Sequence, residues 1–98
     1  LIDCSSGGTS PDQQVPIHPG YQVPLAISVR DGAGIMTRAV GLIQTPEHAE
    51  SILANGDADL VIMGRTLLAD PYWPFQAAKT LKACNVDWPV QYERGNIF

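Results

Sequence analysis

The chain has 98 residues, of which 45% are apolar and only 16% charged, and its formal net charge is −4. That length suits one small domain or part of a larger one, and so low a charge fraction leaves surface to be covered by the rest of a domain or by a partner. The charge balance argues against a nucleic-acid surface, because the six basic residues are scattered rather than clustered, and no apolar run approaches the ~20 residues needed to cross a bilayer.

Residues 1–4 form a short apolar run and read as a strand. The chain opens on Leu1-Ile2 rather than on Met, as a chain does when it begins inside a strand, so upstream sequence is expected. A loop rich in Gly, Ser and Pro follows over residues 5–19, long for a strand-to-helix connection, and long loops of this kind are often functional. A helix is expected from Gly20 or Tyr21, with Pro24 tolerated in its first turn and Gly32 and Gly34 ending it. Residues 35–40 read as a second strand. The next helix has sharper limits: Thr45 as N-cap, Pro46 at the first position, and Glu47 where the helix dipole favours negative charge. Ala49, Ile52 and Leu53 form its buried stripe, and Asn55-Gly56 stops it.

Residues 60–63 are apolar throughout, which fits a strand of a parallel sheet covered on both sides. A short helical turn over residues 64–68 ends at Asp70-Pro71. A last helix is predicted over residues 73–83. Residues 85–98 read as an irregular tail whose Trp88, Tyr92 and Phe98 call for something to dock on. Helical crossovers between strands imply parallel pairing, in a small open sheet or in part of an eight-stranded barrel.

Gly41 and Gly64 each close a strand at corresponding places. Ligands of α/β proteins bind at the carboxyl ends of strands, and a Gly there lets them approach the backbone. Arg65 adds a fixed positive fork suited to a phosphate or an electron-rich ring. The alternative is two ordinary strand-ending glycines beside a surface Arg. Ser5-Ser6-Gly7-Gly8 also follows a strand and suits a polar cofactor edge. His48 is expected to be solvated, His18 lies in the long loop, and Asp57 and Asp59 are expected only to shape a turn. Cys4 and Cys84 show no CxxC spacing, so no metal site is expected and both thiols are expected reduced, as in a cytoplasmic protein.

Several runs occur in a specific order. They are Asp3-Cys4-Ser5-Ser6-Gly7, Pro19-Gly20-Tyr21-Gln22, Ala39-Val40-Gly41-Leu42-Ile43, Ala54-Asn55-Gly56 and Ala58-Asp59-Leu60-Val61. Met63-Gly64-Arg65, Leu68-Ala69-Asp70-Pro71 and Gln91-Tyr92-Glu93-Arg94 follow. The ordered set closely resembles the C-terminal part of flavin oxidoreductases of the old yellow enzyme family, and its tail resembles the thermophilic-like ene-reductase subclass.

The resemblance implies an α/β fold, the C-terminal part of a (β/α)8 barrel. Residues 1–84 would supply strands six to eight with their helices, and residues 85–98 a tail at a subunit interface. It implies FMN as cofactor and NAD(P)H as reductant of an activated alkene such as an enone. Gly64 and Arg65 would contact the flavin, Gly41 and Leu42 its phosphate through the backbone, and Ser6 would lie near it. Arg94 would reach the active site of a neighbouring subunit in a homo-oligomer. The remaining contacts would come from the upstream barrel, so the chain alone is expected to be inactive and to associate. The rival reading is a non-catalytic phosphate- or flavin-binding module; a third is a purely structural half-barrel. One departure stands out: the family usually has a small or apolar residue where Arg38 lies. A buried, unpaired guanidinium would be costly, so Arg38 is expected either to pair with a carboxylate, Asp3 on the neighbouring strand being the candidate, or to lean toward solvent.

Overall fold

The computed structural model describes residues 1–96. Three parallel strands, β1 (Ile2–Cys4), β2 (Thr37–Ala39) and β3 (Leu60–Val61), lie side by side in sequence order. The helix α1 (Val23–Ala33) connects the first pair and α2 (Pro46–Ala54) the second. After β3 come a short helix α3 (Arg65–Ala69), the helix α4 (Trp73–Thr80) and a 3-10 segment, Val90–Gly95. The mixed α/β class and the parallel sheet agree with the sequence reading.

The register sets the two faces of the sheet. Cys4 pairs with Ala39, and Ala39 with Val61. On this face Cys4, Thr37 and Ala39 are buried, and the core continues into Val23 and Ala26 of α1, Ile43 of the loop after β2, Ala49 and Ile52 of α2, and Ala58. Small residues dominate the contact, so the helices lie close to the strands. Asp3, Arg38 and Leu60 form a row on the opposite face, and Leu60 is 46% exposed. There the Arg38 guanidinium engages the Asp3 carboxylate with both arms, Nε to Oδ1 and Nη2 to Oδ2. The departure from the family pattern therefore carries its own counter-ion, the first of the two outcomes expected from the sequence.

The strands are shorter than their apolar runs. β2 stops before Gly41, whose φ of +126° turns the chain out of the sheet. β3 is bonded on one side only, and Ile62 N–H still reaches Ala39 O at 2.7 Å beyond its end. α1 begins at Val23, later than expected, because Gly20 at φ +75° and the bond from Tyr21 N–H to His18 O form a separate turn first.

Gly32 does not end α1: it lies inside the helix, and Gly34 at φ +63° is the left-handed cap, its N–H bonded to Arg30 O. A Cβ on Gly32 would meet nothing within 4 Å. Gly32→Ala is therefore expected to raise stability by about 0.8–1 kcal/mol, measured by urea denaturation, since it removes only unfolded-state freedom and a weak helix former.

α2 follows the sequence reading. Thr45 Oγ1 accepts the His48 N–H, and Pro46 opens the helix. α4 ends at Thr80, earlier than expected, because Lys82 takes a left-handed φ of +56° that closes the helix. The tail is not wholly irregular, since residues Val90–Gly95 make a 3-10 turn. It docks on α4: Trp88 stacks on Phe75 with centroids 4.2 Å apart, and Tyr92 meets the Tyr72 ring edge-on at 6.0 Å. Phe98 lies outside the described residues.

Asp59 does more than shape a turn. Its Oδ2 accepts the Thr37 N–H at 2.9 Å and the Arg30 Nε–H at 3.2 Å, while Arg30 Nη1 donates to Gly56 O. One carboxylate thus ties α1, the start of β2 and the turn before β3. The Thr37 N–H, and next the Arg30 guanidinium, hold its carboxyl below the usual carboxylate range. A folded-state pKa below the unfolded one gives stability that is complete above the unfolded value and is lost as pH falls through the folded one. Asp59→Asn is expected to be less stable than the parent near neutrality, and the gap should close on acidification. Urea midpoints across a pH series test this; a pH-independent gap would contradict it.

Candidate flavin-phosphate cleft

The carboxyl ends of β2 and β3 open onto one cleft of about 490 Å³. Gly41, Leu42 and Gln44 line it from the β2 side, and Met63, Gly64, Arg65 and Thr66 from the β3 side. Tyr21 and Gln22, just ahead of α1, close a third side. The structure therefore brings together four residues singled out in the sequence, Gly41, Leu42, Gly64 and Arg65.

Gly41 is required there on two grounds. Its φ of +126° is open to Gly and strained for other residues. A Cβ would also lie 3.1 Å from the Tyr21 ring and 3.2 Å from Gln22 N. Gly41 O accepts the Gly20 N–H at 2.8 Å, which fixes the loop against the strand end. Leu42 follows with a left-handed φ of +49°, so two successive residues depart from extended backbone where the chain passes the cleft. Such strain gathers at ligand sites.

On the other wall Gly64 caps α3, and a Cβ on it would meet nothing within 4 Å. That is open space at the cleft, where a ligand can come close to the backbone. The N–H groups of a helix's first turn lack intrahelical acceptors, and here Arg65 and Thr66 supply them beside the cleft. The Arg65 side chain is exposed and forms no ion pair among the described residues. A cation left unpaired beside a concave surface is available to an anion. The loop after β2 is braced from behind, because Trp73 Nε1–H donates to Gln44 O at 3.0 Å.

The other candidates fall elsewhere. Ser6 is exposed and does not line the cleft, but its N–H donates to Gln22 Oε1 at 2.5 Å and so touches the third wall. Arg94 lies on the exposed 3-10 segment, outside the cleft. His18 is exposed, with its ring edge-on to Tyr21. His48 is half-buried rather than solvated: a Cβ on Gly20 would lie 3.1 Å from its Nε2. Cys4 is buried in the core and Cys84 is exposed. Among the described residues no group of acidic, His and Cys side chains is placed to hold a metal, and no helix is long and apolar enough to cross a membrane.

Sequence reasoning missed Gln22 and Tyr21 as wall residues. Tyr21 reads as part of a helix start. Gln22 is polar yet 6% exposed, and the available signal was its place between a glycine turn and the first apolar turn of a helix.

Comparison with known proteins gives the family of the chain. Residues 8–83 match the model of the NADH:flavin oxidoreductase / NADH oxidase family. The chain is 54% identical over 95 residues to an NADPH dehydrogenase of Geobacillus thermodenitrificans, covering 97% of this chain and 27% of that protein. It is 51% identical over 94 residues to the NADPH dehydrogenases of Halalkalibacterium halodurans and Listeria innocua, covering 96% of this chain and 27% of each. The chain thus spans about a quarter of the length of the curated relatives it matches. With the family model covering most of its residues, the chain belongs to the NADH:flavin oxidoreductase / NADH oxidase family.

Proposed function

We propose that this chain forms the phosphate wall of an FMN site in an NAD(P)H-dependent ene-reductase. The observation that carries the reading is the meeting of Gly41-Leu42 and Gly64-Arg65 on one cleft. These residues fit the group. A phosphate ester needs backbone N–H donors, close approach and a cation, and the cleft offers glycines at two strand ends with a guanidinium that has no ion pair among the described residues. Ser6 serves the flavin more distantly, through the loop that Gln22 holds.

FMN, when bound, supplies the two-electron chemistry that links NAD(P)H to an activated alkene such as an enone. The residues of this chain bind and orient it. Gly41 and Gly64 admit it to the backbone, Arg65 neutralises its phosphate, and the Trp73 bond keeps the β2 loop from moving away. The parallel strands with helices on one face are consistent with strands six to eight of a (β/α)8 barrel. Upstream strands would then cover the Asp3–Arg38 face and complete the site. The tail with Arg94 would serve a neighbouring subunit of a homo-oligomer, and the working compartment is the cytoplasm. The segment alone, with open strand edges, would associate and show no turnover.

The test is a graft that joins this segment to the upstream part of the Geobacillus thermodenitrificans relative, replacing that protein's matching residues. The purified graft should carry FMN and oxidise NADPH when an enone is present. A folded graft that binds no FMN, or one that binds it without enone-dependent NADPH oxidation, would overturn the proposal.

A further inference from the structure

Gln22 is 6% exposed, and its side chain is bonded on one end only. Its Oε1 accepts the Ser6 N–H at 2.5 Å. A backbone N–H can only donate, so the amide oxygen must face Ser6 and the NH2 group is turned away. That nitrogen carries two donors and has no acceptor among the described residues. It is not sealed off either, because among the described residues the fully occluded side-chain atom lacking a partner is Thr37 Oγ1. Gln22 lines the cleft described above.

A buried amide donor with no acceptor is unfavourable, and native proteins satisfy nearly all such groups. An open cleft lets water serve; a bound ligand that fills it has to serve instead. The position of Gln22 decides which part of the ligand. Its backbone N lies 3.2 Å from where a Cβ on Gly41 would stand, and Gly20, two residues earlier, is bonded to Gly41 O. The Gln22 backbone therefore stands beside the Gly41 wall, where the proposed function puts the phosphate, and its side chain springs from there.

We propose that Gln22 is a further ligand-binding residue of this cleft, with its amide N–H groups donating to a phosphate oxygen. The inference rests on the flavin reading for the identity of the ligand. The same amide holds Ser6 with its oxygen, so one side chain orders the loop after β1 and grips the anion.

The informative change is Gln22→Glu in the full-length graft. Glutamate keeps an acceptor for the Ser6 N–H, removes both donors and adds a negative charge. Flavin binding is followed by fluorescence quenching with FMN and with riboflavin, which lacks the phosphate. The FMN dissociation constant should rise by about tenfold or more while that of riboflavin changes by less than about twofold. Inorganic phosphate should compete with FMN in the parent graft and lose that ability in the variant. Should the variant not fold, the Gln22 side-chain amide protons of the 15N-labelled parent graft are followed instead. They should shift on saturation with FMN and not with riboflavin. Equal weakening of both flavins, unchanged FMN affinity, or amide protons indifferent to FMN would overturn the inference while leaving the flavin site standing. A parent graft that binds no FMN overturns the flavin site and this inference together.

Discussion

Gly41→Val is expected to destabilise the folded graft by about 4 kcal/mol, combining backbone strain of about 1–3 kcal/mol with overpacking of similar size. The strain arises because φ at this position is +126°, which a β-branched residue avoids. The overpacking arises because even a Cβ would stand 3.1 Å from the Tyr21 ring carbons and 3.2 Å from Gln22 N. The ring can swing aside, whereas the Gln22 backbone is held by the turn from Gly20 into α1. FMN binding should be lost with it, since both walls that meet at Gly41 would move. Urea denaturation and FMN titration of the same variant test the two effects. A midpoint within experimental error of the parent would show that this backbone is not constrained as described.

Arg65→Ala should behave in the opposite way. The side chain is exposed and has no ion pair among the described residues, so stability should barely change. FMN affinity should fall about 10- to 100-fold, the loss expected for a hydrogen bond to a charged group. Riboflavin affinity should change far less, because the guanidinium is assigned to the phosphate. Arg65→Lys should restore part of the loss, since it keeps the charge but not the planar fork. The parent's affinity for FMN should fall with added salt, and the variant's should fall less. Equal FMN affinity in parent and Arg65→Ala would remove the guanidinium from the site.

Much of this architecture is legible in the sequence, for local reasons. The start of α2 is written in Thr45-Pro46-Glu47, where cap, ring and charge all agree, and the structure starts it there. The placement of Gly41 and Gly64 at strand ends follows from where the apolar runs stop. The Arg38–Asp3 pair was accessible because a guanidinium between two strands needs a carboxylate, and one lay on the next strand.

What was not legible depends on distance in the chain. Asp59 looked like a turn residue because Thr37 and Arg30, its partners, lie 22 and 29 positions away. Gln22 gave only a weak local sign, its place between a glycine turn and a helix start, and its bond to the Ser6 loop spans 16 positions. Gly32 misled for a different reason. Glycine ends a helix only if it adopts the left-handed conformation, and Gly34, two residues on, is the one that does.

Whether the ends of β2 and β3 jointly hold the flavin phosphate is tested most directly by a crystal structure of the FMN-loaded graft. The phosphate is expected in the cleft between Gly41-Leu42 and Gly64-Arg65, within hydrogen-bond reach of the Arg65 guanidinium and the Gln22 amide. A phosphate found outside that cleft, with Arg65 and Gln22 both facing water, would contradict it.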